Sequence, residues 1–314
     1  MRPSLGCRDD PHTQIREARS QPLLLHSLSV FREIFEIVFT HRQIATVAEI
    51  GVESGQVSGI YVELGASAVY CVDPEPSDRL RSTLAANDAL HLVEQPSPEV
   101  LPDLPPAQLY VLDGDHNYAV VERELRWIVA NAPDAVVVMH DVLWPWSRRD
   151  LYYEPSLLSL ADRHPASDDG PTVWHDGLTP AGFVGLGAFT VAQQAGGERN
   201  GVATAVEDVL SAARDDWHFV VVPAVFGLGV LMRRGSAADE QLLAALRPYT
   251  ESVLLEKLEN NRIGLYTRVL QMQYDAAAEA TYRDQLAEKV AAQRHEIDRL
   301  TTELDMARAA LRPQ

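Results

Sequence analysis

Cysteine is almost missing from this chain. Its 314 residues include two, Cys7 and Cys71, too few and too far apart for a disulfide framework or a thiolate metal cluster. Positive charge is scarce as well: 27 Lys and Arg stand against 45 Asp and Glu, a net charge of -18. A phosphate backbone is held by a basic face, so no nucleic-acid partner is expected. No apolar run approaches the roughly 20 residues that cross a bilayer. Residues 1–21 lack the apolar core of a signal peptide, so no membrane partner is expected and the cytoplasm is the expected location. No internal repeat is visible. The length suits one large domain, or one domain with an appendage.

What the chain does have is concentrated between Thr46 and Pro76. Val47 to Ile50 reads as a short apolar strand. Gly51 and Gly55 frame a tight turn in which missing side chains let backbone N–H groups approach a ligand. A helix from Gln56 to Leu64 follows, closed by Gly65. Ala68 to Val72 is a second buried strand, and Asp73 stands at its carboxyl end. Parallel α/β sheets bind ligands outside those ends, and an acid about 20 residues past a glycine turn can accept both ribose hydroxyls. The unit reads as a nucleoside site; a plain crossover with helix-capping glycines is the competing reading. Glu53 stands where a dinucleotide site commonly has a glycine, and its charge would repel a pyrophosphate.

The chain continues with a helix from Asp78 to Asn87 and a strand from Leu90 to Val93. Five prolines between Pro96 and Pro106 exclude a long helix there. Gln95 and Ser97, just past the strand, are placed to hold a base. A fourth strand, Gln108 to Leu112, leads into Asp113-Gly-Asp-His-Asn-Tyr118. The next helix turns Val121, Leu125 and Ile128 inward and Glu122, Glu124 and Arg126 outward. A fifth apolar strand, Ala135 to Met139, ends in His140-Asp141. Adjacent parallel strands set the two polar clusters side by side at the ligand edge.

The glycine turn resembles motif I of the Rossmann-like S-adenosylmethionine-dependent methyltransferases, in the subgroup reading E-I-G-V-x-x-G. That resemblance implies a cofactor-binding set of Glu49, Gly51, Val52, Glu53, Gly55, Gln56, Asp73, Pro74, Gln95, Ser97 and Asp113. Glu49 would lie near the cofactor's amino group, Gly51 to Gly55 against its methionine and ribose parts, and Asp73 on the ribose. The run LDGDHNY resembles metal-dependent O-methyltransferases of sugars, catechols and antibiotic precursors. It also resembles the cephalosporin hydroxylase and rhamnosyl O-methyltransferase group, which carries D-x-D-H. The implied fold is a mostly parallel α/β sheet closed by an antiparallel C-terminal hairpin, with helices on both faces.

Methyl transfer to a hydroxyl needs alignment and removal of a proton, by a general base or by a divalent cation that acidifies the hydroxyl. His116 and His140 are the candidate bases. Asp113 and Asp141, with Asp115 in reserve, are the candidate Mg²⁺ ligands. His140 departs from the metal-dependent pattern, which has an acid at that place.

Residues 142–200 are long for one crossover and read as a lid-like insertion. Its Trp144, Trp146, Tyr152 and Tyr153 could stack on an acceptor, and Arg148 and Arg149 could hold an acidic group. Strands at His218 to Val222 and Gly227 to Met232 form the closing hairpin. The division expected is a flexible arm over 1–21, the cofactor domain over 22–235, and a helical extension over 236–314. Within the last, Leu286, Val290, Gln293, Ile297, Leu300, Leu304, Ala307 and Leu311 step by four and three. That pattern predicts a two-stranded coiled coil over 283–312 and a homodimer. The expected activity is O-methylation of a small-molecule hydroxyl, on a sugar or natural-product scaffold. A coil-dimerised interaction protein with a degenerate site and a hydroxylase-type relative are the alternatives.

Overall fold

The computed structural model describes residues 9–20, 27–214 and 216–310. Helix α1 (Thr13–Ser20) buries no residue. It lies within the stretch expected to be a flexible arm; at eight residues it is too short for periodicity to reveal. The remainder of that arm falls outside the described residues.

Helix α2 (Arg32–His41) buries Ile34, Phe35 and Val38 on one stripe. Then β1 (Thr46–Ile50), α3 (Gln56–Glu63), β2 (Ala68–Val72), α4 (Asp78–Leu84) and β3 (Leu90–Val93) follow. Ser77 caps α4 by accepting from Leu80 N–H. Next come β4 (Leu109–Leu112), α5 (Tyr118–Asn131) and β5 (Val136–Met139), with the Asn117 side chain capping α5 through Val120 N–H. The insertion then folds into β6 (Leu151–Tyr153), β7 (Ala166–Ser167), β8 (Gly170–Pro171), β9 (Leu178–Thr179) and β10 (Phe189–Ala192). The chain returns through α6 (Val202–Ala212), β11 (Trp217–Val222) and β12 (Leu228–Arg233), and ends in α7 (Ala237–Thr250) and α8 (Val253–Ala310).

Seven strands form the main sheet in the order β11-β12-β5-β4-β1-β2-β3. The pairs β1–β2, β1–β4, β2–β3 and β4–β5 are parallel; β12 is antiparallel to both β5 and β11. The order reverses between β1 and β4, which opens a crevice at their carboxyl ends. Alternate side chains serve opposite faces, as the strand period of two requires. Val47, Leu109, Val111, Val136 and Val138 join one core with Phe35, Leu242 and Leu246. Ala48, Tyr110, Leu112, Val137 and Met139 join the other with Leu125, Ile128 and Val206. This is a mostly parallel, Rossmann-like α/β sheet with the antiparallel hairpin at its end.

Beyond α7 the expected helical extension is one continuous helix, α8, 58 residues long, or about 87 Å at helical rise. It buries Glu259, Ile263 and Thr267 against the domain. The described part of the predicted coil, with Leu286, Val290, Ile297, Leu300 and Leu304, is exposed. Among the described residues no helix is long and apolar enough to cross a membrane.

Candidate active site

The crevice opens into one cleft of about 1520 Å³, walled by the carboxyl ends of the parallel strands, the insertion and α8. Single-ligand pockets run to roughly 1,000 Å³, so there is room for two molecules. Gly51, Val52, Glu53 and Ser54 border it beyond β1, and Asp73, Pro74 and Glu75 beyond β2.

Gly51 has φ +85, and a Cβ there would lie 2.4 Å from the Asp113 carbonyl oxygen. The glycine is needed because the turn after β1 presses against the chain leaving β4, as well as to let backbone N–H groups approach a ligand. Gly55 caps α3 at φ +72. Beneath this turn Glu49 is 2 % exposed and accepts from the Ser58 hydroxyl. Burial pushes its carboxyl up to about 8, against that hydrogen bond and with help from the nearby Asp113. Asp73 Oδ1 accepts from Glu75 N–H at 2.9 Å, which fixes the carboxylate at the strand end.

One strand further on, the loop after β3 faces α5 across a notch of Pro96, Ser97, Pro98, Glu99, Val120, Arg123 and Glu124. Glu124 is not outward, as its charge had implied: it is 2 % exposed and lines the cleft. Its Oε1 and the Ser97 hydroxyl are buried without a hydrogen bond of ordinary length. They lie near enough for Ser97 to favour the carboxylate, yet burial wins and pushes Glu124 up to about 8. Gln56 and Gln95 do not line the cleft; both are exposed. Gln56 starts α3 on its solvent side, and the chain past β3 offers Ser97 instead.

At the other end the two polar clusters meet. His140 is buried, with Nδ1 3.0 Å from Asp113 Oδ1 and Nε2 2.8 Å from the Val225 carbonyl oxygen. A carbonyl and a carboxylate both only accept, so both ring nitrogens carry protons. Burial opposes that charge, but Asp141, Asp113 and the two hydrogen bonds outweigh it and raise the imidazole to about 9. His140 therefore cannot act as the base the sequence reading allowed. Nothing occupies His116 in that way. It lines the cleft with Nδ1 3.4 Å from Asp141 Oδ2. Asp141 holds a left-handed φ of +60, unusual for a non-glycine residue, and its Oδ1 is buried without a hydrogen-bond partner. Burial raises the Asp115 carboxyl, countered by His116 and Arg123.

The insertion divides its candidates. Trp146 and Tyr153 line the cleft. Trp144 packs edge-on against Phe183, and Tyr152 is buried with its hydroxyl on Asp150 at 2.8 Å. Neither arginine reaches the acceptor: Arg148 pairs with Glu207, and Arg149 donates to the Ala192 and Gln193 carbonyls. Tyr266 and Tyr274, from α8, also line the cleft and carry no signal in their local sequence.

The residues present do not fit the metal reading. Among the described residues no group of three His, Cys, Asp or Glu is placed to hold an ion. Asp113 and Asp141 instead flank the cationic His140, at 3.0 and 3.8 Å. The residues do fit an adenosyl sulfonium: an acid beyond β2, an acid beneath the glycine turn, and an unpartnered polar pair in the notch.

Residues 48–142 match the family model described as a methyltransferase domain, under a third of the chain. No curated protein matches the sequence. Among solved structures it is similar to a Podospora anserina methyltransferase bound to SAH, at 14% identity and TM-score 0.42, over 70% of this chain and 86% of that one. It is also similar to the 1,6-didemethyltoxoflavin-N1-methyltransferase of Burkholderia thailandensis, at 13% identity and TM-score 0.38, over 72% and 84%. A third is a methyltransferase from Geobacter sulfurreducens, at 14% identity and TM-score 0.39, over 71% and 86%.

Proposed function

We propose that this chain, whose residues 48–142 match a methyltransferase domain, is a class I, Rossmann-like S-adenosylmethionine-dependent methyltransferase that methylates a hydroxyl of a small molecule. The observation that carries the reading is His116, facing the cleft with Asp141 behind it, beyond the nucleoside end of the same cleft.

When bound, the cofactor supplies an electrophilic methyl on a sulfonium. Asp73 is placed to accept the ribose hydroxyls. Glu49 would face the amino group, which favours its ionised form. Ser97 and Glu124 form the notch for the purine, on the β3 side of Asp73. His116 takes the acceptor's hydroxyl proton, and Asp141 orients the ring and stabilises the imidazolium that results. The 3.4 Å separation is long for a finished hydrogen bond and shortens on closure around substrate. The fixed charge of His140 keeps Asp113 and Asp141 from repelling each other.

The acceptor wall carries aromatic and apolar side chains, Tyr153, Leu157 and Phe189 of the insertion and Tyr266 and Tyr274 of α8, beside the acidic Glu154 and Asp162. Arg123 is the one Arg or Lys lining the cleft among the described residues, and it lies in the notch beside Glu99. This supports an uncharged ring-bearing acceptor, such as a sugar or natural-product scaffold, stacked on those rings. The exposed seam of Leu286, Val290, Ile297, Leu300 and Leu304 supports a homodimer through α8.

The test is transfer of labelled methyl from S-adenosylmethionine to a panel of phenols and glycosides. His116→Gln should lower kcat by about 10²–10⁴ while leaving cofactor affinity unchanged. Undiminished turnover would remove His116 from its role. Absence of cofactor binding in the wild-type chain would favour the interaction-protein alternative.

A further inference from the structure

The turn between β11 and β12 is built from three residues in the left-handed region: Val225 at φ +43, Phe226 at +63 and Gly227 at +88. A β-branched residue there is strained and needs outside support. The support comes from α8. Glu259, 5 % exposed, accepts from Val225 N–H at 2.9 Å and from Phe226 N–H at 2.8 Å. Arg262 grips the same carboxylate with Nε and Nη2, both at 2.7 Å, and lies 4.4 Å from the centre of the Phe226 ring.

The peptide joining Val225 to Phe226 has two ends, and both are in use. Its N–H donates to Glu259, while its carbonyl accepts from His140 Nε2 at 2.8 Å. The other nitrogen of His140 lies against Asp113, and Asp141 is 3.8 Å away. A continuous series therefore runs from α8 through one peptide plane to the cluster that orients His116. Because the peptide is planar, any rotation that turns its N–H turns its carbonyl as well.

We propose that Glu259 is a positioning residue for the active site: by holding the Val225–Phe226 peptide it fixes the carbonyl that anchors His140 between Asp113 and Asp141. The helix that carries the exposed apolar seam thus also sets the geometry of the chemistry. The consequence for turnover rests on the methyltransferase reading; the placement of His140 does not.

The experiment uses the full chain labelled with ¹⁵N-histidine. The Nε2–H signal of His140, identified by its loss in His140→Gln, reports the bond to Val225 directly. Glu259→Gln keeps the side chain's shape but puts an amide where two N–H groups need acceptors; Glu259→Ala removes the grip. Asp239→Asn serves as a control, since it weakens the buried Arg42 pair and the α7 cap far from the turn. The expected result is loss or a large shift of the His140 signal in both Glu259 variants and none in the control, even where the control melts lower. In the Glu259→Gln enzyme kcat should fall about tenfold to a hundredfold, with cofactor affinity unchanged. An unmoved His140 signal in folded Glu259→Gln overturns the proposal, as does an equal shift in the control. If the wild type binds no cofactor, the methyltransferase reading fails while the histidine signal still decides this one.

Discussion

The two ends of the cleft treat carboxyl groups in opposite ways. At the nucleoside end Glu49 and Glu124 are buried with no cation bonded to either, and both are pushed up to about 8. At the chemical end Asp113 and Asp141 sit against histidine nitrogens, with His140 raised to about 9 between them. The residue type is nearly the same; the neighbours decide the charge. One end is prepared to receive a cation and the other already contains one. An adenosyl sulfonium with its ammonium group suits the first, and a proton-transfer pair suits the second.

The largest effect should come from breaking the chemical end. Asp141→Asn leaves His116 without an anionic partner and His140 with one carboxylate fewer. By analogy with other base–carboxylate pairs, kcat should fall about a thousandfold or more, with cofactor affinity little changed. Steady-state kinetics beside a binding titration would show this; equal losses in both would mean that Asp141 belongs to the cofactor site.

Next in size is the nucleoside end. Glu124→Leu fills the notch with a group that cannot hydrogen-bond, and affinity for S-adenosylhomocysteine should fall about tenfold or more. Turnover at saturating cofactor should hold. Unchanged affinity would take Glu124 out of purine recognition.

Smaller, but sharper in sign, is the dependence of stability on pH. Glu49 and Glu124 lose their protons near 4.5 when unfolded and near 8 when folded. Folding therefore takes up protons across that window, and stability falls as pH rises through it. His140 acts in the same direction: its contribution is complete below about 6.5 and is lost as pH rises through about 9. Melting temperature should decline from pH 5 to pH 9. Glu124→Gln should gain on the wild type as pH rises from 5 to 8, as measured by parallel thermal melts. A variant that loses ground to the wild type as pH rises would contradict the burial of a neutral carboxyl. The smallest expected effect is that of a chelator: with His140 supplying the charge between Asp113 and Asp141, activity should be unaffected.

The glycine-turn end of the cleft was the more legible in sequence, because its determinants are local. A glycine turn, a strand and an acid within Thr46–Pro76 specify one another, and Asp73 stands where strand geometry puts it. The sheet's closing hairpin was legible for the same reason: two apolar strands close together in the chain must pair antiparallel. Glu124 was readable and was misread. It lies three residues after Val121 and four before Ile128, on the inward stripe of α5, and its charge overrode its spacing. The state of His140 was not readable, because the carbonyl that occupies Nε2 comes from Val225, 85 residues away. Arg148 and Arg149 gave no local sign that Glu207 and the backbone near Ala192 would claim them. The contribution of α8 to the cleft wall likewise depends on packing across the whole chain.

Calorimetric titration of the full chain with S-adenosylhomocysteine, repeated on Asp73→Ala, tests the central claim most directly. The account predicts submillimolar binding by the wild type and its loss in the variant. No heat of binding in the wild type, or equal affinity in both proteins, would contradict it.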